Sequence, residues 1–389
     1  MLTLLRNVDV FTPAPAGVCD LLVAGGRVAA LAPSLPEPPG GWPCDVVDLQ
    51  GARVIPGLVD AHVHVTGGGG EAGPSTRVPP LGMSTIARAG VTSVVGLLGT
   101  DGTTRTMREL VARTYGLREE GLSAWCWTGS YQVPPVTLTG AVRDDIAFIE
   151  PVIGVGEVAL SDQRSSQPTF DELVRLAADA HVGGLMTGKA GVLHLHLGDG
   201  PRGLSLVRRA LDETELPPRV FHPTHVNRQR RLLTEAQELA SRGVTVDVTA
   251  YDGEDDGVSA ADAIAEHLGL GLPPERITCS SDGGGCIPTF GPDGRVTHMD
   301  VGRSAALLRA LRELLERGVD LHRALPPFTC NVADALRLPR KGRIALGFDA
   351  DLVALDSAGA ASWVMARGRW LVREGNAVVV GPFEGRDTP

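Results

Sequence analysis

Through the middle of the chain, short apolar runs alternate with stretches whose apolar residues recur every three or four positions. The runs are Leu58–Val65, Thr92–Leu98, Ala124–Tyr131, Val155–Leu160, Val192–Leu197, Arg219–His225, Val244–Ala250 and Ile277–Ser281. Apolar runs of this length predict strands buried on both faces. The stretches between them predict helices; in 170–177, for example, Leu173, Leu176 and Ala177 fall on one face. Strand and helix in alternation predict an α/β fold with a mostly parallel sheet. Eight such strands are the number that closes a (β/α)8 barrel of the TIM type.

The two ends have another texture. Leu21–Ala24 before Gly25-Gly26, and Val46–Leu49 before Gly51, are short runs stopped by turn residues. Asp351–Leu355, Trp363–Ala366 before Arg367-Gly368, and Ala377–Val380 repeat the pattern near the C-terminus. These predict antiparallel strands and hairpins. Residues 1–55 and 342–389 are expected to join into one small β domain beside a catalytic barrel of 56–341.

Charge and cysteine usage narrow the class. The net charge of −10 repels a polyanion, so nucleic acid is excluded as a partner. Of the 36 basic residues only Lys189 and Lys341 are lysines, which removes most candidates for lysine chemistry. Cys19, Cys44, Cys126, Cys279, Cys286 and Cys330 are scattered, against a disulfide framework or a cysteine-built zinc cluster. Residues 1–6 lack the apolar core of a signal peptide, and no apolar run is long enough to cross a bilayer. A cytoplasmic protein with reduced thiols and no membrane partner is expected.

In such barrels the chemistry sits where the strands end. The first strand carries His62 and His64, which by alternation point the same way. The fourth carries Glu157, and the fifth ends His194-Leu195-His196. The sixth ends His222-Pro223-Thr224-His225, and the eighth runs into Asp282. This order offers enough nitrogen and oxygen ligands for two divalent ions, which together can activate a water. His194 and His222 are expected to support the ligands or to pack; His181, His267, His298 and His322 receive no role. The run Gly67–Gly70 suits a pocket wall, and no Gly-Lys-Ser/Thr follows it to make a phosphate loop.

Longer motifs go further. They are Asp60–His64 with Gly67–Pro74, then Thr92–Asp101, Thr128–Tyr131, Ser161–Ser165, His196–Asp199, Pro223–Arg228 and Ser280–Gly283. On these the chain resembles the amidohydrolase superfamily and, within it, the isoaspartyl (β-aspartyl) dipeptidases. The resemblance spans nearly the whole chain, and the glycine run with its Glu-Ala-Gly-Pro tail is its most family-specific part.

The resemblance implies hydrolysis of a small β-aspartyl dipeptide by a hydroxide bridging two divalent ions, zinc being the expected metal. His62, His64, Glu157, His196, His225 and Asp282 would hold the ions. Asp282 would act as base and then acid, and Tyr131 would polarise the scissile carbonyl. Glu71 would bind the substrate ammonium and Arg164 and Arg228 its carboxylates, with Gly69, Thr100 and Cys286 as further substrate contacts. A homo-oligomer is also implied.

Two departures stand out. The family usually places a carbamylated lysine on the fourth strand; here Glu157 falls there, and neither lysine lies on that strand. Glu157 is therefore expected to bridge the ions itself, with Gly156 permitting a bulge or close backbone approach. Strand alternation sets Glu157, Ala159 and Ser161 on one face and Val158 and Leu160 on the other. At Cys286 the family commonly has a serine. A thiol is a poor donor, so either the backbone N–H groups of Gly284 and Gly285 take over or affinity and specificity differ. The alternative function is a related amidohydrolase acting on an N-acyl amino acid or a cyclic ureide, on which Glu71 would be wasted. A non-catalytic scaffold predicts loss of ligands, yet all six are present.

Overall fold

The computed structural model describes residues 2–251, 257–291 and 295–385. Met1 and 386–389 of the expected terminal domain, and 252–256 and 292–294 of the expected barrel, lie outside them.

All eight expected central strands are present: β1 Leu58–Val63, β2 Val91–Gly96, β3 Ser123–Thr128, β4 Val152–Leu160, β5 Val192–Leu197, β6 Phe221–Thr224, β7 Val246–Thr249 and β8 Ile277–Ser280. β1 to β6 pair in sequence order as a parallel half-barrel, and β7 pairs with β8, also parallel. Backbone hydrogen bonds are among the contacts that link the sets. The N–H of Val226 donates to the Asp247 carbonyl at 3.3 Å, and that of His64 to the Gly283 carbonyl at 2.8 Å. Several strands end earlier than the apolar runs suggested. β1 stops at Val63, so His64 lies just past it, held by Gly283. β6 stops before His225, whose φ of 62° no strand accommodates.

Alternation decides what each strand presents. On β5, Leu193, Leu195 and Leu197 join the core shared with the surrounding helices, while His194 and His196 fall on the opposite face. On β7 and β8 the same outer core takes Val246, Val248, Ile277 and Cys279, leaving Asp247, Thr249, Thr278 and Ser280 inside. The interior is thus apolar on one side, with Val59, Ala61, Val95, Leu97, Trp127 and Ile153. On the other side it is polar. The helix Phe170–Thr187 starts where it does because Thr169 and Glu172 form a reciprocal cap.

On β4, Val155 pairs with Leu193 and Val158 with Leu195, so Gly156 and Glu157 together face His194 alone. This is the expected bulge, and it keeps Val155 and Val158 both in the outer core.

Strands from both ends of the chain share one nine-stranded sheet. Leu352–Leu355 runs antiparallel to Arg53–Pro56, with Val353 opposite Ile55. A separate core containing Leu5, Val8, Leu21, Val23, Leu352 and Met365 holds this sheet. The hairpin of Cys286–Phe290 and Val296–Val301 was not expected from the sequence; it carries Cys286 into the cleft described next.

Candidate active site

Beyond the strand ends lies a cavity of about 300 Å³. His64, Glu157, His196, His225 and Asp282 line its floor, and Gly69, Glu71, Thr100, Tyr131, Arg164, Arg228 and Cys286 its walls. With His62 buried beneath, the six expected ligands, Tyr131 and the expected contacts Gly69, Glu71, Thr100, Arg164, Arg228 and Cys286 lie together here.

Glu157 is the hub. Its Oε2 lies 3.2 Å from His196 Nδ1, 3.5 Å from His62 Nε2 and 3.7 Å from His225 Nε2; its Oε1 lies 3.6 Å from His64 Nε2. Asp282 Oδ1 stands 3.1 Å from His64 Nε2 and 3.5 Å from His62 Nε2. Among the described residues, three triads have ligand atoms close enough to share a cation: His62 with His64 and Glu157, Glu157 with His196 and His225, and His62 with His225 and Asp282. Glu157 is common to the first two.

Unpartnered atoms test whether a cation fits. Among the described residues, His62 Nε2, Glu157 Oε1 and Asp282 Oδ1 are buried without a hydrogen-bond partner. Leaving such groups bare is costly, and coordination would relieve it. Charge points the same way. Burial opposes ionisation of Glu157, yet His62, His196 and His225 hold its carboxyl well below the usual range. Burial likewise opposes, and His62 and His64 overcome it, at Asp282. Burial disfavours a charged His62, but Glu157 and Asp282 raise it well above its ordinary value. The pocket attracts positive charge, and a divalent ion supplies it. His225, pushed down to about 3 mainly by burial, is the neutral ring a metal requires.

The distal ring nitrogens are held from behind, as ligand histidines commonly are. His196 Nε2 is 3.0 Å from Asp162 Oδ2, and His225 Nδ1 is 2.7 Å from Thr249 Oγ1 and 3.1 Å from Tyr251 Oη. His62 Nδ1 meets His194 Nε2 at 2.8 Å. Asp60, whose carboxyl burial pushes up to about 7, accepts from the Ser281 backbone N–H and hydroxyl and fixes the approach to Asp282. Ser161, His225 and Asp282 all carry left-handed backbone, with φ of 53°, 62° and 52°. Such conformations are strained for non-glycine residues and cluster at functional sites.

Asp162, Tyr251 and Thr249 were missed as site residues. Asp162 lies in the Ser161–Ser165 motif, and Tyr251 two residues past the end of β7. The strand-end rule extended to the seventh strand would have found the second.

The walls divide by charge. Glu71 accepts from Thr100 Oγ1 at 3.1 Å through Oε1, while its Oε2 is buried and unpartnered. Arg164 sets its fork on Asp162, with Nε 3.0 Å from Oδ1 and Nη2 2.8 Å from Oδ2; Nη1 lies 3.4 Å from Glu71. Arg228 has Nη1 3.6 Å from Asp199 and a buried Nε with no partner among the described residues. Tyr131 Oη is 2.8 Å from His196 Nδ1. Burial, reinforced by Glu157, Asp162 and Asp282 against the opposing Arg164, holds its phenol well above the ordinary value, so it stays a donor. Gly69 has φ of 81°, and a Cβ there would stand 2.5 Å from the Thr76 carbonyl oxygen. Only glycine lets the loop pass so close.

Of the two alternatives at Cys286, the one through Gly284 and Gly285 finds its donors already engaged. Their N–H groups donate at 2.9 Å to the carbonyls of Gly302 and Asp282. The sharp turn after Asp282 uses both donors internally. The Cys286 thiol, raised to about 12 by burial and then Glu71, stays protonated and is no nucleophile. All six cysteines are unpaired.

Comparison with known proteins agrees with this geometry. The model of the amidohydrolase family matches residues 53–371. The chain is 41% identical to the β-aspartyl dipeptidase of the thermophilic keratin degrader Fervidobacterium islandicum AW-1, in complex with β-Asp-Leu dipeptide. That match covers 97% of each chain, with a TM-score of 0.93. A dihydroorotase from Anaplasma phagocytophilum is 26% identical over 94% of this chain and 87% of its own length. One from Solibacter usitatus is 28% identical over 41% of this chain, and the aligned part spans only 34% of that enzyme.

Proposed function

The chain belongs to the amidohydrolase family, among the β-aspartyl dipeptidases, and from that premise we propose that it hydrolyses β-aspartyl dipeptides. One observation carries the substrate assignment. Glu71 lines the cleft beside the metal-ligand cluster, and its buried Oε2 has no partner among the described residues. It suits the free α-ammonium of an isoaspartyl residue, which an N-acyl amino acid or a cyclic ureide lacks. The unpartnered Nε of Arg228 suits a carboxylate. Arg164, committed to Asp162 and Glu71, holds these two acids in place and adds positive charge. Gly69 and Thr100 shape the ammonium end, and Cys286 contributes surface. Ile287 and Pro288 add an apolar wall for the leaving residue.

His62, His64, His196, His225 and Asp282 would hold two divalent ions, with Glu157 shared between them in place of a carbamylated lysine. When bound, the ions supply Lewis acidity that brings the pKa of a water near neutrality. Zinc suits this nitrogen and carboxylate set, which also accepts Mn, Co or Fe. Asp282 takes the proton of the attacking water on a carboxylate oxygen and returns it to the leaving amine. Tyr131 donates its hydroxyl proton in a hydrogen bond to the developing oxyanion.

The same reading completes the fold as a (β/α)8 TIM-like barrel of residues 56–341. A small β domain of 1–55 plus 342–389 accompanies it. Six unpaired thiols fit a cytoplasmic protein, and no described helix is long and apolar enough to cross a membrane. A homo-oligomer without nucleic-acid partners completes the proposal.

The test compares β-Asp-Leu with α-Asp-Leu, using protein of measured metal content. Cleavage of the β-linked isomer alone is expected. Cleavage of neither with two ions bound, or release from N-acyl amino acids or cyclic ureides instead, overturns the substrate assignment.

A further inference from the structure

Behind His62, polar side chains from four further strands meet inside the fold in an unbroken line. His62 Nδ1 lies 2.8 Å from His194 Nε2. His194 Nδ1 lies 2.9 Å from His222 Nδ1 and 3.1 Å from the His222 carbonyl oxygen. His222 Nε2 is 3.1 Å from Thr278 Oγ1, and Thr278 Oγ1 is 2.6 Å from Asp247 Oδ1. Each of these residues is at most 1% exposed. The Trp127 ring stacks on His194 at 4.9 Å.

Donor and acceptor arithmetic allows this line one direction only. The Asp247 carboxylate accepts from Thr278 and from the hydroxyls of Thr224 and Ser280. With its single proton on Asp247, Thr278 can only accept from His222, so His222 carries its proton on Nε2. His222 Nδ1 is then bare and accepts from His194. The His222 carbonyl, which can only accept, independently requires the proton on His194 Nδ1. His194 Nε2 is therefore bare and accepts from His62 Nδ1–H. That leaves His62 Nε2 as the ring's coordinating atom, the one found unpartnered 3.5 Å from both Glu157 and Asp282. Both rings are at most 1% exposed, where a second proton would leave a bare buried charge, so each carries one. Reversing the line would strip a buried acceptor of its donor, and such orphans are expensive.

We propose that Asp247, Thr278, His222 and His194 are positioning residues that fix the tautomer and orientation of His62 for metal binding. The proposal rests on the metal-centre reading above. Asp247 is the anchor, three side chains removed from His62. Removing a link should cost metal affinity by about ten- to a hundred-fold, the usual effect of losing a group behind a ligand.

Two measurements test it. In zinc-loaded protein with ¹⁵N-labelled histidine, long-range ¹H–¹⁵N correlation should place the proton of His194 on Nδ1 and that of His222 on Nε2. A His194 proton on Nε2 overturns the proposal. Second, zinc retention against a chelator is compared for the parent, Thr278→Val and Thr278→Ser. The nearly isosteric valine should weaken retention at least about ten-fold and serine should restore it, with both variants folded by circular dichroism. Should valine not fold, His194→Gln, which keeps an acceptor for His62, is set against His194→Leu, and only leucine should lose zinc. Unchanged retention in Thr278→Val, or equal retention by the His194 pair, overturns the chain while leaving the metal centre intact. A parent that binds no divalent ion overturns the metal centre and this proposal together.

Discussion

Gly156 lies against the backbone of His194. A Cβ built on Gly156 would stand 2.7 Å from the His194 Cβ and 2.8 Å from its carbonyl oxygen. The bulge that swings Glu157 toward four histidines therefore depends on a missing side chain. Gly156→Ala is expected to cost about 1–3 kcal/mol in denaturant unfolding, as overpacked sites do. It should also lower bound metal, because Glu157 and His194 move together. An alanine variant with parental stability and parental metal content would show that the strand can relax without disturbing the site.

Glu157→Ala removes the one carboxylate shared by two of the triads. Metal analysis of the purified variant is expected to find one ion or none per chain. Full occupancy would mean that Glu157 does not bridge.

Tyr131→Phe keeps the ring against His196 and removes the hydroxyl. With the metal content unchanged, kcat should fall by about 10²–10³ and KM little, the signature of a donor used in the transition state. Equal rates for the two proteins would remove Tyr131 from the chemistry.

Glu71→Gln keeps the shape at the ammonium end and removes its charge. The expected loss is about 10- to 100-fold in kcat/KM for a β-aspartyl dipeptide, as for one charged hydrogen bond. An N-acetylated dipeptide, already poor with the parent, should lose little more. Parallel losses on both substrates would argue that Glu71 shapes the loop instead of reading the amine.

Lys341, one of the two lysines, is buried with Asp349 at 2.9 Å and Asp351 at 2.7 Å. Lys341→Met leaves the buried Asp351 without its cation and Asp349 with Arg340 alone, and unfolding free energy near neutral pH should drop by about 3–5 kcal/mol. The sign of the pH effect follows from Asp349. Burial raises its carboxyl, but Lys341 and Arg340 outweigh that and hold it below 3.8. Its stabilisation is complete above the unfolded value and fades as pH falls through the lower folded value. Acid titration of stability should therefore show a shallower slope below about pH 4 in Lys341→Met than in the parent. Parallel slopes would mean that the pair does not couple to folding.

The sequence determined much by itself. Apolar runs and turn residues marked the eight strands, because the face each strand turns to the helices must be apolar, as Leu193, Leu195 and Leu197 are on β5. Placing the histidines and Glu157 at strand ends sufficed to gather the ligand set, since parallel strands deliver their ends to one rim. Tertiary structure alone decided the rest. Whether Gly284 offers its N–H to a substrate or to Gly302 depends on how a turn closes, and no local pattern states that. Whether Arg164 meets a carboxylate from outside or binds Asp162 depends on a neighbour two residues away whose direction is set by the left-handed Ser161. His194, His222, Thr278 and Asp247 are scattered over more than fifty residues as ordinary inward positions. Only the closing of β5 to β8 brings them within hydrogen-bond reach, and direction along such a line belongs to the assembled set of donors and acceptors, which no single strand contains.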